Sequence, residues 1–120
     1  MQQTLLNTDE IKNNPDPLIH NQKRIAITPL PNSIRVLKGI SILQDDCYII
    51  GIDYSLPEDE YKHILGHELA HIFLNHLDDM KPGERTTVDQ EREADQKAPE
   101  YYKLYNDAIQ IEMVKEARYT

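Results

Sequence analysis

Residues 64–77 read Ile64-Leu65-Gly66-His67-Glu68-Leu69-Ala70-His71-Ile72-Phe73-Leu74-Asn75-His76-Leu77, and the architecture turns on how they are read. The apolar positions Ile64, Leu65, Leu69, Ile72, Phe73, Leu74 and Leu77 fall nearly all the way round a helix, which predicts a buried one. His67 and His71 lie four residues apart, one turn along the same face. Two imidazoles at that spacing can converge on one tetrahedral ion with Zn–N distances near ~2.0 Å. Glu68 sits further round the helix. From there its carboxylate reaches a water beside the ion without entering the coordination sphere, the placement needed when zinc acidifies the water and a base takes its proton. Two histidines and a glutamate inside a buried helix are costly unless they find such partners.

Upstream, Ser55-Leu56-Pro57-Glu58 predicts the helix start, with Ser55 and Glu58 as a capping box and Pro57 in the first turn. The helix is expected to run to about Leu77. From Arg24 to Tyr54 the signals are those of strands. Ile25 and Ile27 alternate with small or polar neighbours before Pro29 and Pro31, and Ile34, Val36, Ile40 and Ile42 form a β-branched set. The polar turn Gln44-Asp45-Asp46 separates that set from Cys47–Tyr54, which reads as an antiparallel hairpin. Gly39 and Gly51 mark bulges or close backbone approaches. Further back, Leu5, Leu6 and Ile11 give a weak helical pattern ending at Asn13-Asn14-Pro15-Asp16-Pro17.

Downstream, residues 78–85 form a loop. Thr87 and Gln90 make a second capping box, opening a helix expected to reach about Lys97. Pro99 then marks a break or the first turn of a new, amphipathic helix carrying Tyr101, Leu104, Tyr105, Ala108, Ile109 and Ile111 on one face. The run Glu91-Arg92-Glu93-Ala94-Asp95 supplies candidates for a third metal ligand. Glu91 is favoured over Glu93 because Asp95 lies one turn beyond it on the same face. There it can accept a hydrogen bond from the free ring nitrogen of His67 or His71. Asp89 and Glu93 read as solvated helix charge. His63 extends the histidine stripe, but His63 to His71 covers about 12 Å of helix rise, too far for all three to share one ion. His63 is expected beside the cleft, His76 facing away from the stripe, and His20 in a linker.

The chain has 120 residues, 39% hydrophobic and 28% charged, which suits one soluble domain: residues 1–23 a helix and linker, 24–98 the core, 99–120 a terminal helix. Its net charge of −8 argues against direct nucleic-acid binding. Cys47 is the only cysteine, so neither an intramolecular disulfide nor a thiolate zinc cluster is available. With no secretory signal and no apolar run long enough for a membrane span, the expectation is a cytoplasmic protein.

The order of elements, with His67-Glu68-Leu69-Ala70-His71 and then Glu91, Ala94 and Asp95 in an E-x-x-A-[DN] pattern, resembles the ImmA/IrrE family of zinc metallopeptidases, a minimal gluzincin, over residues 24–98. The resemblance implies an α+β, zincin-like fold, with a small antiparallel or mixed sheet packed on the HExxH helix and further helices around it. It also implies a Zn2+ site of His67, His71 and Glu91, with Glu68 as catalytic base and Asp95 supporting a ligand. Some family members cleave a partner transcriptional repressor, so a helix-turn-helix protein is an expected substrate. The rival expectation is a non-catalytic metal-binding regulatory or interaction module of a phage or mobile-element system. Gln96-Lys97-Ala98-Pro99 departs from the bulky apolar helix usual after the E-x-x-A-[DN] element, and the chain carries no DNA-binding module. For a peptidase, Cys47–Tyr54 is the expected sheet edge for an extended substrate, and Tyr48, Tyr54 or His63 the candidates to stabilise an oxyanion.

Overall fold

In the computed structural model, which describes residues 19–31, 37–81 and 83–119 and side chains as far as residue 110, strands come first and helices follow. The strands are β1 (Ile19–His20), β2 (Lys23–Pro29), β3 (Gly39–Gln44) and β4 (Cys47–Ile52); the helices are α1 (Glu58–Phe73) and α2 (Val88–Tyr119). The expected N-terminal helix and breaker, Ile34, Val36 and the Ile111 side chain lie outside the described residues.

The hairpin forms where the polar turn predicts it. Asp45 adopts φ 55°, which a short polar side chain tolerates, and Gln44 pairs with Cys47 and Gly39 with Ile52. Another two-residue turn, Asn21-Gln22 with φ 52° and 65°, joins β1 to β2, so Ile19 and His20 belong to the sheet and not to a linker. β2 pairs with β4 in parallel, giving a mixed sheet in the order β1-β2-β4-β3. This corrects one expectation. β4 is an interior strand, and the edge on the helix-bearing side is β3.

Strand alternation divides the sheet into two faces. Ile25, Tyr48, Ile50 and Ile52 point inward and pack with Leu65, Leu69 and Ile72 of α1, all nearly inaccessible to solvent. Each such apolar side chain contributes about 1.5–3 kcal/mol by leaving water. Ser41 and Leu43, opposite Ile50 and Tyr48, face α1 too, while Ile40 and Ile42 are exposed.

The ends of α1 differ from their prediction. Ser55 makes no helix cap; its backbone N–H and hydroxyl both donate to Asp53 Oδ1, at 2.9 and 2.6 Å, in a local turn. Pro57 takes the N-cap position, with no side-chain cap bond, and Glu58, Asp59 and Glu60 place negative charge in the first turn. At the other end the helix stops at Phe73 instead of Leu77. Leu74 is the C-cap, Asn75 has φ 64°, Asn75 N–H donates to Ile72 O and His76 N–H to His71 O. That pair of bonds is a Schellman motif, with asparagine in the left-handed position.

α2 opens as predicted: Thr87 N–H donates to Gln90 Oε1 at 2.9 Å and Gln90 N–H to Thr87 Oγ1 at 3.1 Å. It does not end near Lys97. Pro99 lies inside one continuous helix although it cannot bond the carbonyl of Asp95. Packing on both sides of the proline offsets that loss. Ala94 and Ala98 are fully buried before and beside it; Tyr101, Tyr102, Tyr105 and Ala108 pack on the core after it, Tyr101 stacked on Phe73 with ring centroids 5.2 Å apart. Leu104, expected on the buried face, is exposed. Where the helices meet, a methyl on Gly66 would lie 2.1 Å from the carbonyl oxygen of Ala98. Only glycine lets the backbones come so close. Among the described residues, no helix is long and apolar enough to cross a membrane.

Candidate metal centre

The close helix crossing at Gly66 brings the first turns of α2 over the histidine face of α1. His67 Nε2 and His71 Nε2 lie 3.0 Å apart; Glu91 Oε1 is 3.0 Å from the first and Glu91 Oε2 3.0 Å from the second. His67, His71 and Glu91 thus form a group whose ligand atoms all lie within 4.8 Å of one another. Ligand atoms around a tetrahedral ion at zinc distances sit roughly 3.3 Å apart. The observed spacing needs little adjustment to hold a metal.

Each member is held in place. His67 Nδ1–H donates to Asp95 Oδ1 at 2.7 Å, which leaves Nε2 as the lone-pair nitrogen facing the cluster. Asp95 takes the place expected from its spacing to Glu91. It also lies 3.3 Å from Nε2 of the exposed His63, at the rim. Glu91 accepts a hydrogen bond from the Thr86 hydroxyl. Burial raises its pKa, but the Thr86 bond and the two histidines outweigh burial and leave its carboxyl below the ordinary value. Burial lowers the pKa of His71 against the opposing pull of Glu91, which favours the neutral, lone-pair form.

Glu68 projects from α1 beside this group and is buried, with Oε1 accepting a hydrogen bond of 2.7 Å from the Ser41 hydroxyl. Burial raises its pKa, opposed by the Ser41 bond and by His67 and reinforced by Glu91. Strand β3 passes directly over it. A methyl at Gly39 would meet Ile64 Cγ2 at 2.6 Å and Glu68 Oε2 at 3.3 Å, so Gly39 marks a close approach, as does Gly51 against Leu30. Among the described residues β3 is the outer strand on this side of the sheet, and its edge runs alongside Glu68.

Two residues were misplaced by sequence reasoning. His76 does not face away: it is buried, and its Nδ1 lies 2.9 Å from Nδ1 of His71. Glu93 is no idle surface charge either, because its Oε1 lies 2.7 Å from Nε2 of His76. The error has one cause. A helix continued to Leu77 carries His76 off the histidine face, whereas the reversal at Asn75 folds it back onto His71. The signal was present in Asn75, a residue favoured in the left-handed position that ends helices. Ser41 was legible only through its strand parity with Leu43. Of the residues expected near an oxyanion, Tyr48 is committed elsewhere: its buried hydroxyl donates to Asp78 Oδ1 at 2.6 Å and accepts from Asn21 at 3.3 Å. Tyr54 is exposed against Tyr61.

A search of curated proteins and of solved structures gave no significant match. The peptidase M78 family model, described as an IrrE N-terminal-like domain, matches residues 22–103. That span takes in β2 to β4, all of α1 and the part of α2 that bears Glu91, Glu93 and Asp95. A mixed sheet on a helix with His67, Glu68 and His71, a second helix bringing Glu91 to them, and a family match over more than half its length place the chain in the IrrE N-terminal-like family of peptidases.

Proposed function

We propose that the chain is a zinc-dependent endopeptidase whose substrate is a partner regulatory protein, a helix-turn-helix repressor being the first to test. The observation that carries this reading is the convergence of His67, His71 and Glu91, with the carboxylate of Glu68 buried beside them. Two imidazole nitrogens and one carboxylate suit zinc, and three protein donors are the usual complement of a catalytic site, which keeps a position open.

His67, His71 and Glu91 would hold the ion. Bound there, zinc would supply a Lewis acid for the attacking water and the scissile carbonyl. Glu68 takes the proton of the attacking water and passes it to the leaving amine. Ser41 holds that carboxylate through its 2.7 Å hydrogen bond, and Asp95 fixes the ring of His67. An extended peptide adds to the outer edge of β3, where backbone pairing aligns it past Glu68. A cavity of about 300 Å³ lined by Ser41, Leu43, Leu77, Met80, Lys81 and Glu84 lies next to that edge and offers a substrate side chain both apolar and charged contacts.

The test is incubation of zinc-loaded wild type and Glu68→Gln with co-encoded helix-turn-helix proteins, read by mass spectrometry of the fragments. The wild type should produce a discrete pair of fragments, while the variant retains zinc and yields none. Equal fragment yield from both proteins would remove Glu68 from the chemistry. Zinc-loaded wild type that cuts none of the candidates would favour a binding module over an enzyme.

A further inference from the structure

The metal-facing group includes two histidines, yet only His67 meets a carboxylate directly with its other nitrogen. His71 turns Nε2 toward Glu91 and Nδ1 toward His76 Nδ1, 2.9 Å away, and His76 turns Nε2 toward Glu93 Oε1, 2.7 Å away. His71 and His76 are both buried, so these contacts are not incidental surface encounters. Two Nδ1 atoms at 2.9 Å require one proton between them. If His71 is to offer the lone pair of Nε2 to a metal, its own proton must sit on Nδ1. It then donates to a bare Nδ1 of His76, which carries its proton on Nε2 and donates to the Glu93 carboxylate. Every donor in the chain meets an acceptor in this arrangement.

We infer that His76 and Glu93 form a positioning relay that fixes the orientation and tautomer of His71 for metal binding, the counterpart of Asp95 on His67. The inference rests on the proposed metal site but concerns residues that reading does not use. The local fold supplies the relay. The Schellman turn at Asn75 folds the chain so that His76 bonds His71 twice, through its backbone N–H to His71 O and through its ring to the His71 ring. Glu91, Glu93 and Asp95, three carboxylates of one helix, then meet the histidines in turn: Glu91 both His67 and His71, Glu93 His76, and Asp95 His67 with the exposed His63. Neither His76 nor Glu93 touches the position between His67, His71 and Glu91, so both are positioning residues and not ligands.

The test is zinc affinity, measured by competition with a chromophoric chelator for wild type, His76→Leu, His76→Asn and Glu93→Gln, with apo-protein unfolding recorded for each. Loss of a group that orients a metal-bound histidine weakens binding about 10–100-fold. His76→Leu should fall in that range, while His76→Asn, whose side-chain oxygen can replace the Nδ1 acceptor, should recover to within a few-fold of wild type. A merely structural role would lower apo stability in both and would not separate them. Nitrogen-detected NMR of the histidine rings in zinc-loaded wild type supplies a readout independent of any variant's folding. It should find the proton on Nδ1 of His71 and on Nε2 of His76. Wild-type affinity in His76→Leu, no recovery in a folded His76→Asn, or a proton on His76 Nδ1 would each overturn the relay and leave the metal site standing. Failure of wild type to bind zinc at all would sink both.

Discussion

Gly66→Ala is the sharpest perturbation of the arrangement, because it adds one methyl where α1 and α2 cross. The added carbon would lie 2.1 Å from the carbonyl oxygen of Ala98 and 2.8 Å from its carbonyl carbon, against about 3.4 Å for ordinary contact. Relief requires the helices to part by about 1.3 Å, the difference between the 3.4 Å and 2.1 Å separations, since a backbone oxygen cannot rotate aside. In an exposed helix, glycine to alanine gains about 1 kcal/mol. Here the clash is with rigid backbone, so overpacking should cost about 3 kcal/mol, the upper end of its usual range, and we expect a net loss of about 2 kcal/mol. The site should suffer as well. Asp95 lies one turn before Ala98, and its 2.7 Å bond to His67 would leave hydrogen-bonding range if lengthened by that amount. Zinc affinity should therefore fall about 10–100-fold, as when a partner of a metal-ligating histidine is lost. Chemical unfolding of the apo protein measures the first effect, and chelator competition the second. A Gly66→Ala protein as stable as wild type, with unchanged zinc affinity, would refute this account of the crossing.

Other consequences follow from the same geometry. Thr87→Ala removes the reciprocal cap of α2 and should cost about 0.5–2 kcal/mol in chemical unfolding; no loss would mean that the capping box does not hold the helix start. Leu69→Ala empties a fully buried position of α1 in the core and should cost about 2–5 kcal/mol by the same assay. Burial, reinforced by the bond to Asp78, raises the phenol pKa of Tyr48 above 10.0 in the fold. Above that pH the unfolded chain therefore binds fewer protons than the native one, and stability declines as pH rises through the native pKa. Tyr48→Phe should flatten that alkaline decline, and an unchanged slope would contradict the burial of a protonated hydroxyl.

The parts of the molecule legible in the sequence are those whose physics is local. The hairpin at Asp45-Asp46 and the Thr87–Gln90 cap needed only short-range chemistry, and both form. The pairing of Glu91 and Asp95 needed only helix periodicity, which carried over once α2 formed. What was illegible depends on how elements meet. Nothing in Cys47–Ile52 reveals that Lys23–Pro29 will pair beside it in parallel and leave β3 at the edge. Pro99 would end an isolated helix, but burial of Ala98 and the packing of Tyr101, Tyr102 and Tyr105 carry α2 through it. Ser55 was available for a cap and bonds Asp53 instead. The costliest misreading was a helix end placed four residues late, because it hid the one turn that sets His76 against His71.

The central claim is a metal centre built by His67, His71 and Glu91. The most direct measurement is elemental analysis of the full chain, purified without chelator, equilibrated with excess zinc and then desalted, beside Glu91→Ala and Glu93→Ala. The account predicts one zinc per wild-type chain, near-complete loss in Glu91→Ala, and a full complement at saturating zinc in Glu93→Ala with weakened affinity only. A wild-type chain without stoichiometric zinc, or a Glu91→Ala protein that binds it as tightly as wild type, would contradict it.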